Sequence, residues 1–229
     1  MIEGVLGDLM DRRFAWLRRV IRQQLVPAIL ESPAEARSSI ISLMARSYYQ
    51  GRNTGYVVHG AYLGAPRFVP AQTRRAWSEE AIRHGQFVVS RLDEIIDERG
   101  EVSARWLGNW GEVSGRQAVW QGQDEEAQVM ARLAQVDMKR WTRAWDRLEA
   151  RDWHDELNGV TIPAEDFFTL PGGPNAGSRV YGPRDWDAVA DPEEHINCGH
   201  ALEFLQQATL RDVVDTLGKG AVVYSPPRA

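Results

Sequence analysis

Three short runs decide how this chain is divided: W-T-R-A-W-D-R-L-E-A-R-D-W-H-D-E-L-N-G (residues 141–159), F-F-T-L-P-G-G-P (167–174) and H-I-N-C-G-H-A-L-E-F (195–204). They hold the only cysteine, Cys198, and three of the five histidines, His154, His195 and His200. Gly- and Pro-rich loops separate them, which is turn chemistry and not helix chemistry. Upstream the pattern is different. Apolar residues recur there at three- and four-residue steps over long distances, the mark of amphipathic helices.

Residues 3–30 read as the first such helix. Leu6, Leu9, Met10, Phe14, Leu17, Val20, Ile21 and Leu25 form its apolar stripe, and Arg12, Arg13, Arg18, Arg19 and Arg22 spread over the remainder. Pro27 falls inside the pattern and is expected to end or kink it, because proline lacks the N–H and crowds the preceding turn. Ser32-Pro33-Ala34-Glu35 reads as a helix start. The helix that follows is expected to reach about Gln50, where glycines 51, 55, 60 and 64 begin. Pro66 to Pro70 reads as a connector. Residues 72–99 make the clearest helix, stopped by Gly100, and further helices are expected over about 103–121 and 124–138. Trp106, Trp110 and Trp120 form a stripe that suits a core or a subunit interface.

After Met138 the expectation is a small irregular unit. It contains a short polar helix carrying His154 and ending near Gly159, a brief strand at Val160–Ile162, and turns at 170–174 and 181–183. An extended segment is expected at 195–200, with helices over 201–207 and 210–217. The fold class is therefore mainly α: long helices in the N-terminal half followed by a small α+β unit. The division falls at 1–138, a helical docking region, and 139–229.

Bulk properties exclude several classes. With 229 residues, 43% of them hydrophobic, the chain can bury a real core. No run of 18 apolar residues occurs, so no membrane partner is expected. The N-terminus lacks a basic region followed by an apolar run, so no secretory signal is expected. One cysteine closes no internal disulfide. The net charge of −5 argues against a dedicated nucleic-acid coat. Charge is uneven, however: the first 75 residues carry eleven arginines against five acids, Glu3, Asp8, Asp11, Glu31 and Glu35. Arginine outnumbers lysine throughout, with Lys139 and Lys219 the only lysines. Genome composition accounts for that bias, and so does selection of a planar fork for phosphate or carboxylate.

The chain has no Walker A loop, no G-x-S-x-G, no H-E-x-x-H and no C-x-x-C. What remains is a possible metal set. Cys198 and His200 are two apart, so in an extended strand they share a face. Both are good zinc ligands, and His154, with His195 or Asp155 as weaker candidates, could complete a tetrahedron. The competing arrangement is a polar core, in which the histidines hydrogen-bond and Cys198 packs as a small apolar residue.

The order Trp141, Asp146, Arg147 or Arg151, His154, Leu157, Gly159, Phe168, Pro171-Gly172-Gly173, Asn197-Cys198-Gly199-His200 resembles the head-morphogenesis domain of tailed-phage minor head proteins. This is the phage Mu protein F-like family, related to the SPP1-type minor head proteins. The likeness covers roughly 65 residues. Two features depart from the family pattern: Gly199 stands where a basic residue is usual, and Asn175 to Pro192 form an additional loop. The family closes its pattern on Asn-Cys-x-Cys or Asn-Cys-x-His, and a zinc site accepts either last residue where a disulfide does not.

The resemblance implies a virion structural protein, a minor head component that acts in assembly at the portal or inner capsid surface and performs no catalysis. Its expected partners are the portal protein, the major capsid protein and packaged DNA, and its expected cofactor is at most a structural zinc held by His154, Cys198 and His200. Trp141, Asp146, Gly159 and Asn197 are the accompanying motif positions. The alternative is a metal-dependent hydrolase or nuclease-like effector that uses the same three ligands, with Glu156 or Asp155 as general base.

Overall fold

Apolar periodicity sustained over several turns produces helices that are longer and fewer than expected. The computed structural model describes residues 2–63, 69–100, 102–144, 151–185, 188–189 and 198–205. Helix α1 spans Ile2–Val20, a π-helical turn spans Ile21–Leu25, and α2 spans Val26–Glu31. Helix α3 spans Pro33–Leu63, α4 Ala71–Arg99 and α5 Ala104–Leu133. The fold is mainly α. No described helix is long and apolar enough to cross a membrane.

Pro27 does not end the first helical run. The π turn lies immediately before it, with the Val26 N–H bonded back to the Ile21 carbonyl, and Pro27 enters the first turn of α2. A wider turn ahead of a proline gives room to a ring that would otherwise strike the preceding carbonyls. The run stops at Ser32, which is extended (φ −151°).

The chain forms two compact units: Asp8–Val57 with Pro66–Glu126, and Met1–Gly7 with Val58–Ala65 and Ala127–Ala229. The first is helical. Its core is Leu17, Ile21, Leu25, Ile29, Ile40, Met44, Leu92 and Leu107 with their neighbours, and Trp106 and Trp110 pack on it partly buried. Trp120 is buried and tilts against Phe14.

Glycines inside the helices set how closely these cross. A Cβ on Gly51 would lie 2.0 Å from the Val119 carbonyl oxygen, and one on Gly122 would lie 2.3 Å from that of Tyr48. Gly51 therefore marks helix contact, and α3 continues past it instead of ending near Gln50. For the same reason Gly122 does not split α5, and the two helices expected over 103–121 and 124–138 are one.

This unit also buries charge. Arg52 reaches Glu80 at 3.0 Å and Glu125 and Glu126 at 3.3 Å each. Trp77 Nε1 donates to Glu126 at 3.0 Å, and Tyr48 donates to Glu125.

The second unit contains the strands. β1 spans Met138–Arg143, β2 Thr161–Pro163, β3 Phe168–Thr169, β4 Arg179–Val180 and β5 His200–Leu205. Helix α6 is the single turn Asp152–Asp155. The sheet has the order β2-β1-β5, antiparallel throughout, with Arg140 opposite Thr161 on one side and Arg143 opposite His200 on the other. β3 and β4 form a separate hairpin.

Two expectations are corrected here. Met138 begins β1 and does not end a helix. Residues 201–207 were expected to be helical, and residues 200–205 are a strand. His200, Ala201, Leu202, Glu203 and Phe204 are all buried, so β5 shows no in–out alternation. A short apolar run without alternation looks the same for a buried strand as for a buried helix. The expected helix at 210–217 lies outside the described residues.

Candidate metal centre

One face of β1 organises the site. Lys139, Trp141 and Arg143 alternate along the strand and so project to the same side. The Trp141 ring meets His154 at 5.4 Å and Phe168 at 5.2 Å, both edge-on, and His200 at 6.0 Å. Trp141 is thus the packed floor on which both histidines rest.

α6 brings His154 to this floor. The chain leaves the helix through a turn closed by Gly159, whose φ of 80° is costly for any side-chain-bearing residue. That geometry lets the Gly159 N–H donate to the Trp141 carbonyl at 2.7 Å while the Trp141 N–H donates to Val160 at 2.9 Å. Gly173 has a φ of 77° and lies against Trp153, so close that a Cβ there would be 2.5 Å from the ring. The Pro-Gly-Gly loop is therefore a clamp on the helix that carries His154.

His154, Cys198 and His200 come together, each 2% exposed. Cys198 Sγ lies 3.4 Å from His154 Nδ1 and 3.7 Å from His200 Nδ1, and one ligand atom from each residue falls within 4.8 Å of the other two. Zinc bonds of about 2.3 Å to sulfur and 2.0–2.1 Å to nitrogen, at tetrahedral angles, place S and N about 3.6 Å apart. The two measured separations bracket that value. The cluster can bind a metal ion.

The surroundings fit the same chemistry. His200 Nε2, on the far side of the ring from Cys198, meets Asp155 Oδ1 at 3.1 Å, and Asp155 in turn pairs with Arg143 at 3.1 Å. A carboxylate on the second ring nitrogen fixes the tautomer and leaves Nδ1 free to coordinate. Burial would raise the Cys198 thiol. Hydrogen bonding with His154 and His200 and the charge of Arg184 outweigh it and hold the thiol well below its ordinary range. A metal ligand must be a thiolate, so this bias suits coordination.

Of the expected ligands, His154, Cys198 and His200 converge. Asp155 braces His200 and is not part of the three-residue ligand group. His195 lies outside the described residues, as do the motif positions Asp146 and Asn197 and the candidate Arg147. Cys198 lies just before β5, whose first residue is His200, and the two side chains come together there.

Two residues that matter here carry no motif. Arg184 adopts a φ of 62° and donates to the Cys198 carbonyl at 2.8 Å, fixing the backbone of the ligand. A non-glycine residue at such a φ is strained and is held by its surroundings. Only the preceding turn, Tyr181-Gly182-Pro183, signals it in sequence.

Lys139 is fully buried. Its Nζ makes no hydrogen bond, sits 3.1 Å above the centre of the Tyr181 ring, and has Phe168 and Phe167 at 5.5 and 5.9 Å. Burial pushes its pKa down to about 7, against the pull of Asp166 and Asp185.

No family model, curated protein or solved structure matches this chain.

Proposed function

We propose that this chain is a minor head protein of a tailed bacteriophage, placed at the capsid interior or portal vertex. In this role the strand-containing unit is a rigid module stapled by zinc, and the chain docks on the portal protein or the major capsid protein without catalysis. The supporting observation is convergence. Trp141, His154, Gly159, Phe168, Gly173 and Cys198-Gly199-His200 carry the resemblance across the C-terminal sequence. They meet around one buried cluster with zinc-like donor spacing. When bound, zinc would be held by His154 Nδ1, Cys198 Sγ and His200 Nδ1, and would tie α6 to the start of β5.

Co-expression with the portal protein, followed by native mass spectrometry, tests the proposal. A complex with a fixed number of copies per portal ring is the expected outcome. A chain that never co-purifies with portal or capsid protein contradicts it.

The second reading is a metal-dependent hydrolase or nuclease-like effector. It draws support from the ligand count, since three protein ligands with an open fourth position is the catalytic zinc pattern. Against it, all three ligands are 2% exposed, which denies a substrate access to the fourth position. Zinc-dependent turnover of nucleotides, esters or peptides, abolished in His154→Ala, would establish the enzyme and overturn the staple.

A further inference from the structure

The arginines of the helical unit fall into two groups. Arg18 and Arg22 both grip Glu112, at 3.1 and 2.6 Å, Arg37 meets Asp93 at 3.0 Å, and Arg52 sits among its three glutamates. The second group makes no ion pair among the described residues and includes Arg12, Arg13 and Arg46, which are set apart by position and not by being unpaired. All three line one cavity of about 300 Å³, together with Leu9, Trp16 and Gln50.

Arg46 lies over the Trp16 ring, 4.6 Å from its centre. Arg13 Nε is buried without a hydrogen-bond partner, and burial lowers the pKa of its guanidinium. A second cavity of about 570 Å³ shares Trp16 and Arg46 with the first, so the two form one groove along α1 and α3. Its further lining is mixed, with Gln24, Ser39 and Ser42 beside Val20, Leu25 and Leu43. Neither lining includes an Asp or Glu, in a chain that carries 32 of them.

We infer that this groove binds a phosphodiester strand of nucleic acid. Three guanidiniums without acid partners, gathered on one concave wall, concentrate positive potential, which favours an anion. Each presents a planar fork of N–H donors that matches phosphate oxygens two at a time. Trp16 packs against the core on one side and carries Arg46 over its ring, which holds that guanidinium at the cavity. The serine hydroxyls and Gln24 add uncharged hydrogen-bonding groups to the second cavity. An isolated anion would fill only the first cavity, whereas a strand uses both. The groove belongs to the helical unit alone and does not depend on the metal cluster or on the portal as partner.

Fluorescence anisotropy of the full chain with a short labelled oligo-deoxythymidine tests the inference. Wild type is expected to bind, with an affinity that falls as salt rises. Arg12→Ala, Arg13→Ala and Arg46→Ala should each weaken binding several-fold and flatten the plot of log affinity against log salt by about 0.7 per arginine removed, as counterion release requires for single strands. Trp16→Leu should weaken binding while leaving that slope unchanged. Arg75→Ala, which removes a guanidinium paired to Glu79 on an exposed helix face, should change neither.

Arg12 and Arg46 are exposed, so their variants fold, and circular dichroism verifies this for all of them. Binding unaffected by the three substitutions overturns the inference. Competition by polyglutamate equal to that by unlabelled oligonucleotide at matched charge overturns it in favour of an acidic peptide. Binding of inorganic phosphate alone, with no gain from a strand, overturns it in favour of a simple anion pocket.

Discussion

Each unit of this protein buries a polar cluster, and the two meet the cost in different ways. In the helical unit, Arg52 is enclosed with Glu80, Glu125 and Glu126, and every charge has a partner supplied by the chain. In the strand unit, two imidazole nitrogens and a thiol point at one another, with no lysine, arginine or carboxylate between them among the described residues. The first cluster draws its ion pairs entirely from the chain. The second is complete only as a hydrogen-bonded trio or around an ion, and the spacing of its donors suits the ion. A network of ion pairs fixes helix register without any added ligand, whereas a donor cluster makes stability depend on what is bound.

That contrast can be broken at either end. The largest effect is expected from Cys198→Ala in zinc-containing buffer. It should remove the metal and lower the melting temperature well below wild type, because metal binding energy is folding energy. With a strong chelator present, the gap between variant and wild type should shrink to the cost of a small cavity. Differential scanning calorimetry with and without chelator measures both, and an unchanged gap would show that the cluster stabilises without metal.

Arg52→Met comes next. It leaves Glu126, 2% exposed at its side chain, without its cation, and should cost about 3–5 kcal/mol in urea unfolding. This loss should not respond to chelator. A chelator-dependent loss would mean that the two clusters are not separate sources of stability.

Gly173→Ala should follow, at about 1–3 kcal/mol, because it combines a disfavoured positive φ with a Cβ driven into Trp153. It should also weaken metal retention, since Trp153 precedes His154. Zinc retention during dialysis measures this, and full retention would show that the loop does not position the ligand.

Lys139→Met is set apart by its dependence on pH. The amine titrates near 7 in the folded chain and near 10.4 when unfolded. Between those values the unfolded state binds the extra proton, so wild-type stability rises with pH through that window. Below about 7 the lysine carries its full burial cost. The methionine variant should lose this slope and be at least as stable as wild type at pH 6. Chemical denaturation at several pH values tests this, and parallel curves would place the lysine outside the titrating core.

Much of the architecture is legible in the sequence, and each misreading has a physical cause. Long helices announce themselves by periodicity, and the ligand trio by residue type: few groups other than His154, Cys198 and His200 can coordinate a soft metal in this chain. Gly51 and Gly122 misled because a glycine that permits close helix approach cannot be told locally from one that ends a helix. β5 misled because burial on both faces erases alternation. Lys139 and Arg184 were invisible for another reason. One is defined by three aromatic rings brought together by the hairpin, the other by a left-handed backbone, and neither leaves a motif.

The most direct measurement is zinc K-edge X-ray absorption on the full chain, purified without chelator. The account predicts one zinc per chain, with one sulfur at about 2.3 Å and two imidazole nitrogens at about 2.0–2.1 Å, and loss of the sulfur shell in Cys198→Ala. A chain that retains no metal, or a zinc surrounded by oxygen alone, would contradict it.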